Sequence, residues 1–143
     1  MDEYGRLCIL LNRVFDYHAG LEQKYVADSR FGDISVNDMH IIDAIGPDSA
    51  KNMSSVAKKV GVTVGTLTIA MNNLVKKGYV LRSRSEKDRR VVLVSLSEKG
   101  QAAYLHHQSF YGKMSRVLQK VLDEDKCSIL NECLSEVLNS DIQ

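Results

Sequence analysis

The chain has 143 residues with 44% hydrophobic and 26% charged side chains, a composition that is ordinary for a soluble globular protein. No apolar run approaches the roughly 18–20 residues of a membrane span, and the acidic, then amphipathic N-terminus is unlike a secretory signal. The formal net charge is only +1. We therefore expect a cytoplasmic protein of one domain, or one compact unit that a second copy completes.

The three cysteines, Cys8, Cys127 and Cys133, are widely spaced and form no CxxC pair. This pattern argues against a disulfide framework and a zinc site, so we interpret them as small apolar residues on helices. The adjacent His106 and His107 have no acidic residue or cysteine nearby in the sequence to complete a ligand set. We expect no bound metal and no cofactor.

The N-terminal segment from Glu3 to about Asp28 has the apolar spacing of one long helix. The repeating positions are Leu7, Leu10, Leu11, Val14, His18, Leu21 and Tyr25. A small domain cannot cover so long a helix alone, which favours packing against another subunit. Ser35 is then a predicted N-cap, with Asp38 three residues on, for a second helix that Gly46 ends.

Two short helices are predicted in the middle of the chain. Asn52 caps the first, which Gly61 ends, and Thr63 caps the second, which runs from Val64 to about Lys77. Two short helices joined by a turn with glycine are typical of a helix-turn-helix. On a helical wheel, the apolar inner side of the second helix consists of Val64, Leu67, Met71 and Leu74. Its outer side is mostly small or polar and consists of Gly65, Thr66, Thr68, Ile69, Asn72, Asn73 and Lys76.

Two β-branched runs, at 79–84 and 91–96, flank a charged turn and predict a two-stranded β-hairpin, or wing, packed on the preceding helices. Ser97 then caps another long helix, and a last helix follows Asp123. We expect the last helix to turn its apolar side inward, namely Leu130, Cys133, Leu134, Val137 and Leu138. The predicted fold class is mainly α with a small β-hairpin. Within a single domain over 1–143, residues 35–97 form a winged helix-turn-helix, and 1–34 and 98–143 form a helical dimerisation region.

Positive charge is concentrated in the middle of the chain. Residues 51–90 contain ten lysines and arginines against two acids, so they carry +8 while the remainder carries −7. Such a concentration is typical of proteins that bind a phosphate backbone. A polar helix face or a charged turn taken alone is often just a solvated surface. Their combination, in this order, favours double-stranded DNA as the partner.

We predict a set of DNA-contacting residues that joins the helix to the hairpin: Thr63, Gly65, Thr66, Thr68, Ile69, Asn72, Lys76, Arg82, Arg84, Lys87, Asp88, Arg89 and Arg90. Thr66, Thr68 and Asn72 offer hydrogen bonds to base edges. Gly65 permits close approach of the backbone to a phosphate at the helix N-terminus. At the tip of the wing, one arginine can enter a minor groove while Asp88 orients it.

The stretch GVTVGTLTIAMNNLVKKGYVLRSRSEKDRRVVLVSLSEKG resembles the winged helix-turn-helix of the MarR family of transcriptional regulators, above all in NNLVKKGYV, in DRR and in LSEKG. The flanking long helices fit that family's dimerisation region, so the resemblance spans essentially the whole chain. It implies a homodimer on a palindromic operator, with Arg90 in the minor groove and Asp88 as its partner. The residues that it places in the major groove are Thr66, Thr68, Ile69 and Asn72.

A narrower resemblance is carried by SRFGDIS at 29–35, by Met39-His40 with Asp43, and by VTVGTLT with NNL. These segments are similar to the FabT branch, which represses fatty-acid synthesis genes in Gram-positive bacteria and responds to long-chain acyl groups on acyl carrier protein. The resemblance implies acyl carrier protein as a partner and an effector pocket between the first, second and fifth helices. Candidate pocket residues are Val14, His18, Met39 and His40, although a histidine such as His40 is more often a core or junction residue with one hydrogen bond.

Other functions stay open. A MarR relative can respond to a different small molecule, or to peroxide through a cysteine in the first helix; Cys8 lies near Tyr4 but has no adjacent cation to activate its thiol. A winged helix can also serve protein contact alone, although its outer face would then be apolar or acidic. The sequence contains no nucleophile elbow, phosphate-binding loop or dinucleotide fingerprint, so we expect no enzymatic activity.

Overall fold

A computed structural model of the chain describes residues 1–140, so the last three residues of the predicted dimerisation region lie outside the described part. The elements in chain order are α1 (Glu3–Ala27), α2 (Val36–Ile45), β1 (Lys51–Asn52), α3 (Met53–Val60), α4 (Val64–Lys76), β2 (Val80–Arg84), β3 (Val92–Leu96), α5 (Glu98–Val121) and α6 (Glu124–Asn139). Within the described residues, no helix combines the length and the apolar character needed to cross a membrane. The predicted fold class is confirmed.

Helix boundaries follow the capping residues that the sequence predicts. Ser35 and Asp38 form a capping box at the start of α2, since each side chain bonds the backbone N–H of the other. Asn52 and Thr63 accept hydrogen bonds from backbone N–H groups at the starts of α3 and α4. Gly61 ends α3 at φ +84°, a left-handed conformation that glycine adopts without steric cost.

The β-sheet has one strand more than predicted. It is three-stranded and antiparallel in the order β1-β3-β2, with Lys51 of β1 opposite Val94 of β3 and Arg82 of β2 on the other side of Val94. The predicted two-stranded hairpin is therefore incomplete. A strand of two residues is too short to show an alternating pattern, and here it also contains the N-cap of α3.

One hydrophobic core joins the three central helices to the sheet. Met39 and Ile42 of α2, Leu67 and Met71 of α4, and Val94 of β3 are all fully buried in it. The core extends beyond the predicted range 35–97, because Val26 of α1 and Ala103 of α5 also belong to it. Val64 was predicted to lie inward but is 44% exposed. It is the first residue of α4, ahead of the turn that packs on the core.

The chain divides into two compact units, Met1–Gln108 and a second one that starts at Ser109, within α5. In the first unit, α1 exposes large apolar side chains, including Leu7, Leu10, Val14 and Phe15. In the second unit the predicted inward side of α6 is exposed, namely Leu130, Cys133, Leu134, Val137 and Leu138. That prediction was wrong for the single chain, because a helical wheel identifies the apolar side of a helix but not what covers it.

Candidate nucleic-acid interface

Helix α4 presents the predicted outer face to solvent. Thr66, Thr68, Ile69 and Asn72 are exposed, while Leu67 and Met71 anchor the opposite side in the core. Ile69 is 76% exposed, an unusual position for a large apolar side chain and one that suits contact with a thymine methyl group. Gly65 and Lys76 lie on the same exposed face. The helix therefore offers a continuous strip of small, hydroxyl, amide and apolar groups.

The threonine hydroxyl groups already have defined local partners. Thr63 Oγ1 accepts the backbone N–H of Thr66 at 3.1 Å and donates to Thr66 Oγ1 at 3.0 Å. Because Thr66 Oγ1 accepts that bond, its own proton is free to be donated outward. Thr68 Oγ1 donates to the Val64 carbonyl at 2.8 Å, so toward an external group it acts as an acceptor. The two threonines thus offer opposite hydrogen-bonding characters.

Gly65 is not required by the interior of the protein. A Cβ atom at this position would meet only Thr63 Oγ1, at 3.9 Å, and its φ is not positive. Glycine in a helix nevertheless costs about 0.5–1 kcal/mol relative to alanine. Close approach of an external group, such as a DNA phosphate, to the helix backbone explains this glycine better than any contact within the chain.

An exposed hydrogen bond links the helix to the wing. Arg82 Nη2 on β2 donates to Asn72 Oδ1 on α4 at 2.7 Å. The sequence predicts separate roles for these two residues and gives no indication that they pair. The bond orients the Asn72 amide so that its NH₂ group remains available as a donor.

The loop between β2 and β3 is organised by its own charged residues. Asp88 receives two hydrogen bonds from the Arg90 guanidinium, at 3.1 and 3.2 Å, and a third from the Arg90 backbone N–H. The Arg90 side-chain bond, followed by the backbone bond, lowers the pKa of Asp88. Arg84 donates to the Arg89 carbonyl at 2.9 Å. The side chain of Arg90 is 91% exposed. Asp88 therefore orients the guanidinium group without shielding it from solvent. Lys87 and Arg89 are exposed in the same loop.

Asp33, which the sequence analysis did not single out, anchors the junction between α4 and the wing. The buried Tyr79 donates its hydroxyl proton to Asp33 Oδ1 at 2.5 Å, and Lys77 donates to the Asp33 carbonyl. The bond from Tyr79 lowers the pKa of Asp33, whereas burial and then this carboxylate raise the pKa of Tyr79. Gly100 is essential here, since a Cβ atom would lie 2.1 Å from the Tyr79 carbonyl oxygen.

The four predicted effector-pocket residues have different surroundings. Met39 is fully buried in the core and Val14 is 58% exposed, whereas His18 and His40 both lie against Glu22. A cavity of about 570 Å³ is present elsewhere, lined by Arg30, Phe31, Gly78, Ser97, Glu98, Lys99 and Ala102. The structure therefore brings together only the two histidines of this set.

The expectation for His107 was wrong in one respect. The fold brings two acidic residues to it: Nδ1 lies 2.6 Å from Asp43 Oδ2, and Nε2 lies 3.7 Å from Glu22 Oε2. Burial is the largest single influence on the pKa of His107 and lowers it. The hydrogen bond and charge of Asp43, together with Glu22, act in the opposite direction and outweigh burial, so the net effect is a raised pKa. Both carboxylates are far from His107 in the sequence, which is why the sequence around it gave no sign of them.

The three-stranded sheet with its basic wing, packed on α2, α3 and α4, defines a winged-helix transcriptional regulator. A family model described as "Transcriptional regulator SarA/Rot" matches residues 30–104. The chain belongs to this family, which lies within the MarR-like superfamily. It therefore stands among the DNA-binding transcriptional regulators of the MarR/SarA type, and the predicted MarR resemblance is confirmed.

Solved structures agree with this assignment over nearly the whole chain. FabT from Streptococcus pneumoniae in complex with DNA superposes with a TM-score of 0.87 at 36% identity, covering 95% of each chain. A MarR mutant from E. coli in complex with operator DNA superposes with a TM-score of 0.77 at 26% identity, covering 96% of this chain and 99% of the other.

Curated relatives match over a shorter segment. The HTH-type transcriptional regulator SarZ of Staphylococcus aureus is 35% identical over 80 residues, which are 56% of this chain and 54% of SarZ. The chain thus spans about half the length of the curated relatives that it matches.

Proposed function

We propose that the chain binds operator DNA as a homodimer, with α4 in the major groove and Arg90 of the wing in the minor groove. The observation that carries this proposal is the continuous exposed surface from α4 to the β2–β3 loop, joined by the Asn72–Arg82 bond. Its helix supplies groups that discriminate bases, and its wing supplies cations for the backbone. FabT and MarR, which superpose on this chain, were solved in complex with DNA and with operator DNA, and this supports DNA as the partner.

Dimerisation accounts for the exposed apolar side chains. Leu7, Leu10 and Val14 on α1 are each more than half exposed, and α6 exposes a further apolar row. Apolar surface of this kind marks a protein interface, and a symmetric dimer buries the same surface of both copies. A symmetric dimer also presents two copies of α4, which fits a palindromic operator with half-sites about one helical turn apart.

The regulated genes are those of fatty-acid synthesis, with the chain acting as a repressor rather than as an enzyme. FabT, at 36% identity over 95% of both chains, supports this narrower assignment, together with the segments at 29–43. A long-chain acyl group on acyl carrier protein modulates the affinity for DNA. Val14, His18, Met39 and His40 remain the candidate residues for sensing it.

The first experiment measures DNA binding against salt. Fluorescence anisotropy with a selected palindromic operator and a scrambled duplex should show specific binding that weakens steeply with salt. If Arg82, Arg84 and Lys87 of both copies contact phosphates, the slope of log K against log salt should be about −5. If the chain shows no salt-dependent binding to any duplex, the proposed DNA-binding function is rejected. The alternative, a winged-helix module that contacts only other proteins, would then be favoured.

The second experiment tests the effector. Operator affinity is compared with long-chain acyl carrier protein, with the same carrier unacylated, and without carrier. A change only with the acylated carrier supports the fatty-acid assignment, and no change rejects it while leaving DNA binding intact. A parallel titration with peroxide on the wild type and Cys8→Ser distinguishes a thiol sensor, since Cys8 is exposed on α1.

A further inference from the structure

Three helices of the first unit bring their polar side chains to one buried carboxylate. Glu22 of α1 is only 4% exposed. Its Oε1 lies 2.6 Å from His40 Nε2 of α2, and its Oε2 lies 3.4 Å from His18 Nε2 and 3.7 Å from His107 Nε2 of α5. The ligand atoms of Glu22, His40 and His107 all lie within 4.8 Å of one another. A carboxylate this deeply buried needs hydrogen-bond donors or compensating positive charge around it.

Asp43 fixes how His107 faces this carboxylate. Asp43 Oδ2 is 2.6 Å from His107 Nδ1, and Gln108 Nε2 donates to the other Asp43 oxygen at 3.5 Å. This bond fixes the orientation of the His107 ring, so that its Nε2 lies on the side of Glu22. A carboxylate behind a histidine is also the usual second partner of a metal-binding imidazole.

We propose that Glu22, His40 and His107 form a binding site for a divalent transition-metal ion of the zinc type. His18, whose Nε2 lies 3.4 Å from Glu22 Oε2 but which is not one of these three mutually close ligands, can turn toward the ion as a fourth ligand. Imidazole nitrogen and carboxylate oxygen are ligands that Zn²⁺ favours, in sets of four. Ligands about 2.0–2.1 Å from a tetrahedral ion lie about 3.3 Å apart. The separations of 3.4 and 3.7 Å from Glu22 Oε2 to His18 Nε2 and His107 Nε2 approach this value, while the ligand atoms of Glu22, His40 and His107 lie within 4.8 Å of one another and must draw closer around the ion. The His40–Glu22 pair, now at hydrogen-bond distance, must open by less than about 1 Å.

The exposure of the ligands gives the ion a route. The side chains of His18 and His40 are 39% and 44% exposed, whereas those of Glu22 and His107 are 5% and 0% exposed. An ion can therefore reach the site from solvent past the partly exposed His18 and His40 and then bind the buried Glu22 and His107. The bound ion would connect α1, α2 and α5 and so stabilise the first unit in the absence of DNA. Because the ion would engage His18 and His40, which are also candidate residues for sensing the acyl group, zinc binding is measured without acyl carrier protein.

The test uses the purified full chain after treatment with a chelator. Zn²⁺ is titrated into a mixture of the protein and a chromophoric chelator, which compete for the ion. Mg²⁺ is the control ion and should not displace Zn²⁺ from the protein. We expect one Zn²⁺ per chain and a higher melting temperature with Zn²⁺. Asp43→Asn should weaken binding by about 10–100-fold, the usual effect of losing such a partner. His40→Gln should weaken it at least as much and keep the fold, since His40 is exposed.

His106→Gln is the matched control, because His106 is adjacent to His107 but stacks on Tyr25 outside the cluster. Its zinc affinity should equal that of the wild type. Co²⁺ serves as the spectroscopic probe, since a thiolate charge-transfer band would assign the ion to the cysteines. Any of three results would overturn the proposal. They are a thiolate charge-transfer band with Co²⁺, a wild-type protein that does not compete with the chelator for Zn²⁺, and an unchanged zinc affinity in His40→Gln. DNA binding is measured in separate experiments. A negative result for zinc therefore does not count against the proposed function, and a negative result for DNA does not count against the zinc site.

Discussion

The wing and the cluster around Glu22 are both built from charged side chains, but through opposite kinds of contact. In the wing, partners are close in sequence: Asp88 and Arg90 are two residues apart, and Arg84 and Arg89 are five apart. In the cluster, Glu22 and His40 are 18 apart, and Asp43 and His107 are 64 apart. The arginines of the wing are exposed, whereas Glu22 and His107 are buried. Removing a wing arginine should therefore affect binding, and removing a buried cluster residue should affect folding.

The largest effect is expected for His107→Ala. It removes a fully buried ring, leaves a cavity and deprives Asp43 of its partner, so the free energy of unfolding should fall by about 3 kcal/mol. Urea unfolding at fixed protein concentration measures it. Arg90→Ala is the control and should leave the unfolding curve unchanged. A loss below about 1 kcal/mol for His107→Ala would mean that the cluster is not a structural centre.

Arg90→Ala should weaken operator binding by about 2 kcal/mol, roughly 30-fold, because a charge-assisted bond to DNA is lost. Anisotropy titrations of the correctly folded dimer measure the change. Asp88→Asn keeps the arginine but weakens its orientation, so its loss should be smaller. Equal affinity of the Arg90→Ala variant and the wild type would contradict the minor-groove assignment.

Asn72→Ala should cost about 1.5 kcal/mol at a single operator position if the amide reads a base. Binding to a panel of operators with one changed base pair each locates that position. Arg84→Ala, which removes a predicted phosphate contact of the wing, should weaken all sequences alike and reduce the salt slope. A uniform loss for Asn72→Ala as well would make it a phosphate contact.

Tyr79→Phe should lower the free energy of unfolding by about 1 kcal/mol at pH 7, because the hydrogen bond to Asp33 is lost. The folded-state pKa of Asp33 is lowered, so the stability it contributes is present above the unfolded-chain pKa of about 3.9 and is lost as the pH falls through the folded value. The difference between wild type and variant should therefore shrink at pH 3. A difference that stays constant from pH 7 to pH 3 would exclude the carboxylate as the cause.

Gly65→Ala is the only one of these variants for which we expect a gain in stability, and the gain should be small. The site has room for a methyl group, so the free energy of unfolding should rise by about 0.5–1 kcal/mol. Operator affinity should fall at the same time if the backbone approaches a phosphate here. Unchanged affinity would show that Gly65 is merely a tolerated surface residue.

The parts that were predictable depend on neighbours along the chain. Ser35 with Asp38, Asn52 and Thr63 satisfy backbone groups within three residues, so their caps were correctly placed. The inner positions Leu67 and Met71 follow from the helical period, whereas Val64, at the helix start, departs from it. Strand β1 was missed because its pairing with β3 depends on residues some forty positions away.

Periodicity, caps and charge are local properties of the sequence, and they were sufficient to predict a winged helix-turn-helix with a charged wing and an exposed, mostly polar face on α4. Three contacts become visible once the elements are packed: Glu22 meets His40 and His107, Asp33 bonds Tyr79, and Asn72 pairs with Arg82. These contacts join different helices and strands. Their partners are set by how the elements pack, and packing depends on the whole core rather than on any one segment.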